Sequence, residues 1–354
     1  MWKQLFHATW KTFRTDFQAV VRSLQSHKRL LDSQGILIGI QESERVRESI
    51  EDERQEKQKN EEIRRRREVA TWLAAADSAE DQETATEARA KYPTTGHWIL
   101  QEPLIAQWCD PHSQTEPCLW INGKPGAGRH SRTNEKRLEG AKLTEVTHLG
   151  KTVLGSVLVE KCANTPNTNL AYFYCRAEDC NRSTFIGVCR SLICQLAQQD
   201  TSILSYVYEK SSSSGRSQLD SIGLAKEMLS VVLNAFDTLF IIIDGIDECK
   251  KVEKEHISST LISIVESHTV FLRCCFISQH DKDTGKIFRN LPAFQITEKH
   301  NEGDILDYCV GMEEIIADSF QVSATDLQHL NISNNVAAKA DGKNTKLFPN
   351  QFTY

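Results

Sequence analysis

A glycine-rich run, Gly123-Lys124-Pro125-Gly126-Ala127-Gly128, follows a short apolar stretch from Cys118 to Asn122. A strand entering a GxxxxG turn lets successive backbone N–H groups point inward, which suits a phosphate. That chemistry also needs Lys and then Ser or Thr directly after the last glycine. Arg129 and His130 stand there instead. The missing pair occurs later, as Lys151-Thr152 at the head of an apolar run, Val153 to Val159. Removing residues 129–150 would join Gly128 to Lys151 and rebuild a complete phosphate loop with its helix.

A second motif is intact. Thr238 to Ile243 is an apolar strand that ends on Asp244, and Asp247 and Glu248 follow within five residues. A buried strand can hold Asp244 beside a magnesium ion with the hydroxyl of Thr152. The acids beyond it can orient or deprotonate a water. The plainer alternative is a buried strand followed by an acidic turn. A third polar step, Ser278-Gln279, ends the apolar run Phe271 to Ile277. In a parallel sheet it would face the terminal phosphate, although a simple strand-to-loop boundary explains it equally well.

These groups must be positioned by strands alternating with helices. Apolar runs at 118–122, 170–175, 238–244, 271–277 and 294–296 read as strands, and 185–197 as a helix. The expected fold is α/β, with a mainly parallel central sheet flanked by helices and ligands at the strand ends. A short apolar helix, Trp98 to Trp108, should precede it. Ahead of that lies an α-helical region, residues 1–76. In it Phe6, Trp10, Phe13, Phe17, Val20 and Leu24 recur at spacings of four and three. A packed helix face is the expected role, with a membrane-surface helix as the alternative. Residues 41–68 are densely charged, without Gly or Pro, and predict a long solvated helix that supports a coiled coil only weakly. The run Arg64 to Arg67 reads either as a solvated helix end or as an anion-binding patch. Residues 77–96 read as a linker, and 97–342 as the main domain.

The whole chain has 354 residues, a net charge of −6 and 40% hydrophobic residues, enough for a sizeable core. That charge argues against a nucleic-acid partner. Eleven cysteines show no paired CxxC, which predicts free thiols in an intracellular, cytoplasmic protein rather than disulfides or zinc. No apolar run approaches the roughly 20 residues of a membrane span.

Taken together, TGHWIL with Trp108, LWINGKPGAG with Lys151-Thr152, the Phe173-Tyr174-Cys175 strand, LFIIIDGIDEC, RCCFISQ and the Asp304-Ile305 and Tyr308 segment resemble the NACHT domains of fungal signal-transduction NTPases of the nephrocystin-like N-terminal type. The resemblance runs from His97 to Gly342. It implies a P-loop NTPase that binds ATP or GTP with Mg²⁺, hydrolyses it slowly and self-associates under nucleotide control. It implies that residues 123–128 and Lys151 hold the phosphates, that Thr152 and Asp244 hold the metal, and that Asp247 or Glu248 assists the water. Self-association or protein partners through the N-terminal helices are further expectations.

Two departures share one explanation. The 22 residues from 129 to 150 and the polar tail 343–354 interrupt or replace the pattern. Codon choice permits a GT donor inside Gly128, a CTNAC branch pattern at Leu143-Thr144, a terminal TAG at Leu149-Gly150 and a GTAAG donor at Gly342-Lys343. Both segments therefore read as intron sequence translated as protein. Closing a flexible loop of this length costs on the order of 3 kcal/mol, which the sheet tolerates. Five basic residues and few large apolar ones predict a solvent-exposed excursion that proteases cut first. The phosphate cradle is less forgiving, so the expectation is a recognisable fold with weak or absent nucleotide binding. The opposing expectation is a non-enzymatic adaptor or scaffold.

Overall fold

The computed structural model describes residues 2–90, 94–123, 151–267, 271–297, 300 and 303–304. They fall in two compact units, 1–65 and 66–354. The division comes earlier than the sequence suggests, because Val69, Trp72 and Leu73 are buried in the core of the second unit.

The first helix, α1, is Trp2–Leu73. No proline interrupts it, so the apolar-striped and charged stretches form one continuous helix. In the first unit Phe17, Val20, Leu24 and Leu31 are 55–67% exposed, rather than forming the packed face expected. Glu53 pairs with Lys57, and Glu61 with Arg64 and Arg65. Within the second unit Arg66 donates to Gln198 O at 3.2 Å.

The stretch read as a linker holds a second helix, α2 (Ser78–Ala90), with Asp81, Ala85 and Arg89 buried. Polar composition disguised it, since α2 docks through hydrogen bonds. Gln82 Nε2 donates to Ser156 O at 3.2 Å, and Thr86 Oγ1 to Glu160 at 3.2 Å. The expected helix 98–108 is broken in two, a 3₁₀ turn at His97–Gln101 and α3 at Pro103–Cys109. Pro103 has no N–H to continue the first turn but suits the first position of the second.

The sheet has five parallel strands in the order β2-β3-β4-β1-β5: β1 (Cys118–Gly123), β2 (Asn169–Tyr174), β3 (Thr238–Asp244), β4 (Phe271–Gln279) and β5 (Ala293–Ile296). Its strands read as unbroken apolar runs because both faces are covered. Alternate residues serve different layers. Leu239, Ile241 and Ile243 pack with α5 (Phe185–Gln199), α6 (Thr201–Ser214), α7 (Ile222–Leu233) and α8 (Lys251–Ser267). Phe240 and Ile242 pack with α3 and α4 (Lys151–Ala163). Side-chain caps start several helices. Asp200 accepts from Ser202 N and Ile203 N at α6, and Asp281 forms a capping box with Thr284 at α9 (Lys282–Ile287). Among the described residues no helix is long and apolar enough to cross a membrane.

Candidate functional site

Parallel register brings three strand ends to one edge. Gly123 of β1 lies opposite Gln279 of β4, Asn122 opposite Ser278, and Asp244 of β3 opposite Ile277. Asp244 is 3% exposed. Helix α4 covers Lys151–Ala163, and its first described turn meets this edge. Burial pushes the Asp244 carboxyl up to about 7. The Thr152 hydroxyl donating to it and the nearby Lys151 ammonium work against that rise, while the Asp247 and Glu248 charges add to it.

Two glycines make the approach possible. Gly155, one turn into α4, would place a Cβ 3.3 Å from Ile277 Cδ1 and 3.6 Å from Asp244 Cγ. Its absence lets the helix lie against β3 and β4. Gly245 adopts φ 75°, and its N–H donates to Ile277 O at 2.9 Å. This left-handed residue turns the chain out of β3 into a 3₁₀ turn, Ile246–Glu248. The two acids then diverge. Asp247 Oδ1 accepts from Gln279 N at 2.9 Å, and Glu248 Oε2 from Ala177 N at 3.0 Å.

Ser278 and Gln279 separate in role. Ser278 is fully buried, and its hydroxyl accepts from Trp120 Nε1 at 2.8 Å and donates to Gln279 O at 3.0 Å. It therefore turns inward to the core layer. Gln279 remains half-buried at the edge. Lys124, Pro125, Gly126, Ala127 and Gly128, with residues 129–150 and the tail 343–354, lie outside the described residues.

Three residues inside the quoted motifs act as supports, a role the motif reading did not assign to them. Gly96 has φ 78°, and a Cβ there would stand 3.0 Å from Leu154 Cδ2 of α4. Asp304 accepts from Gly96 N at 2.9 Å and Trp98 Nε1 at 3.1 Å. Arg273, 3% exposed inside β4, donates to Gln107 O, Trp108 O and Ser113 O around the end of α3. An arginine inside an otherwise apolar strand was the available signal for it.

The donor set suits a hard cation. Thr152 and Asp244 offer oxygen ligands in contact, as Mg²⁺ prefers, and a helix head supplies N–H groups for the phosphates it would accompany. Among the described residues no three His, Cys, Asp or Glu side chains converge as a metal cluster. When bound, such an ion would neutralise phosphate charge.

A five-stranded parallel sheet with a helix head facing the acid-tipped β3 defines an α/β fold of the P-loop NTPase kind. The family described as Nephrocystin 3, N-terminal matches residues 94–131 and 147–279. The match breaks at 132–146, inside the stretch whose removal rebuilds the phosphate loop. Vegetative incompatibility protein HET-E-1 of Podospora anserina is 26% identical over 157 residues, 43% of this chain and 10% of that protein. The chain is thus a relative of the nephrocystin-like NACHT family.

Proposed function

We propose that this chain carries the nucleotide-binding module of a STAND-type signalling NTPase, and that residues 129–150 weaken its grip on ATP or GTP with Mg²⁺. The observation that carries the reading is the first turn of α4 lying against the Asp244 end of β3, so close that a Cβ on Gly155 would stand 3.6 Å from Asp244 Cγ, with Thr152 and Lys151 both acting on that carboxyl. Twenty-two residues separate Lys151 from Gly128, yet the helix head still meets the acid. In this reading Lys151 neutralises phosphate charge, Thr152 and Asp244 hold Mg²⁺, and Asp247 or Glu248 orients the water. In the same reading residues 129–150 separate Gly128 from Lys151 in the sequence, where a phosphate loop needs the two adjacent. The break in the family match supports that view. The relative's name supports a role in incompatibility signalling, carried by whatever accompanies this module.

The test is a titration with fluorescent ATP and GTP analogues plus Mg²⁺. The full chain should bind weakly. The chain lacking residues 129–150 should bind at least about tenfold more tightly, roughly 1.4 kcal/mol. In that shortened chain Lys151→Ala should abolish tight binding, and Glu248→Gln should spare binding while slowing hydrolysis. Equal, negligible binding by both chains favours the second reading, a scaffold with a degenerate NTPase fold.

A further inference from the structure

The loop after β2, residues 175–184, is tied at two ends. At one, the Ala177 N–H donates to Glu248 Oε2 at 3.0 Å. At the other, Asp81 of α2 is 5% exposed and receives Arg176 on one carboxylate oxygen and Arg182 on the other. Arg182 also reaches Asp77 O at 3.2 Å and Asp179 Oδ2 at 3.3 Å. The loop is closed on itself, with Arg176 N donating to Arg182 O at 3.1 Å and Arg182 N to Asp179 O at 2.9 Å. A buried carboxylate shared by two guanidinium groups fixes their separation. Without it, two like charges would face each other across the loop.

The two site acids are thereby held by different parts of the molecule. Asp247 is fixed by Gln279 N on β4, inside the sheet. Glu248 is fixed by a loop that α2 clamps from the far side. An N–H given to a carboxylate occupies one of its oxygens and fixes where the group points, so that oxygen is not available to a water. Loosening the loop would remove the Ala177 N–H from Glu248 and leave the Gln279 N–H on Asp247 in place.

We propose that Asp81 is a positioning residue for Glu248, setting the loop that restrains this acid from activating water. The proposal rests on the reading of Glu248 as an acid of the hydrolytic site. The clamp is a restraint on turnover, and the motif pattern gives no hint of it, because Asp81 lies in a polar stretch 163 residues before Asp244 (244 minus 81).

The experiment uses the full chain, two loosening variants and one rescue variant. Asp81→Asn keeps the shape and removes the charge. Arg176→Gln alters a side chain that is 55% exposed, so folding should survive it. Amide hydrogen exchange is followed in peptides covering 175–183 and 245–249, and MgATP hydrolysis is measured alongside nucleotide affinity. Both variants should speed exchange in both peptides and leave β1, β3 and β4 unchanged. They should raise kcat roughly fivefold at unchanged affinity, a small part of what a general base supplies. Asp81→Glu should return both readouts toward the parent. Faster exchange at 175–183 with 245–249 unaffected overturns the link. An unchanged or lower kcat overturns the restraint. A chain that neither binds nor hydrolyses MgATP, with exchange at 245–249 still governed by Asp81, overturns the reading of the site and supports the link.

Discussion

Gly245 and Asp244 are adjacent, and each carries a testable physical demand. Gly245 sits at φ 75°, and a Cβ there would stand 3.0 Å from Cys175 O, a backbone atom that cannot swing aside. Gly245→Ala should therefore cost about 1–3 kcal/mol, read as a lowered denaturation midpoint. Asp244 poses a question of pH. Its folded carboxyl is pushed up to about 7 from an ordinary 3.8, chiefly because burial disfavours the charge. The native state thus holds the proton more tightly than the unfolded chain. Stability contributed by the protonated group is full below about 4 and is lost as pH rises toward 7. Asp244→Asn keeps an oxygen for the Thr152 hydroxyl and removes the titration. Its melting temperature should exceed the parent's at pH 8, and the difference should shrink toward pH 5. A constant difference across that range would show that Asp244 does not govern it.

Among the elements, β4 does the joining. It lies between β1 and β3, so Gly123 at the tip of β1 and Asp244 at the tip of β3 are separated by one strand and registered through it. Its Arg273 also fastens α3, the helix just before β1, by donating to three carbonyls. Arg273→Met would fill similar space and take the donor from Trp108 O and Ser113 O, while Gln107 O keeps the Asp110 N–H. Chemical denaturation should show a loss of about 2–5 kcal/mol. Helix α2 has the opposite lesson. It has little apolar periodicity, so the sequence reads it as a linker. Its position comes from Asp81, Gln82, Thr86 and Arg89, whose partners lie at least 70 residues further along the chain. Local pattern cannot register partners at that distance.

On the scale of the molecule, the two units differ in what they bury. The second has a closed core on both faces of the sheet. In the first, Leu24 is 65% exposed on a helix whose apolar spacing resembles a packed face. Leu24→Glu should leave the stability of an isolated chain within about 0.5 kcal/mol of the parent's, read as a nearly unchanged melting temperature. A clear drop, steeper at higher protein concentration, would show that this stripe is covered by self-association.

The sequence by itself determined the strands that carry chemistry, because apolar runs ending in Asn122-Gly123, Asp244 and Ser278-Gln279 mark buried parallel strands with polar tips. It also indicated a helix over Val153 to Val159, since these residues form an uninterrupted apolar run after Lys151-Thr152. Motif spacing is a local property, and the chain writes it locally. Only the tertiary structure decided that Ser278 turns inward to Trp120 and that Gly155 opens space beside Asp244. Only it decided that Glu248 is held by Ala177 and Asp247 by Gln279. Those outcomes depend on register and layer packing, where one residue of shift reverses which face a side chain serves.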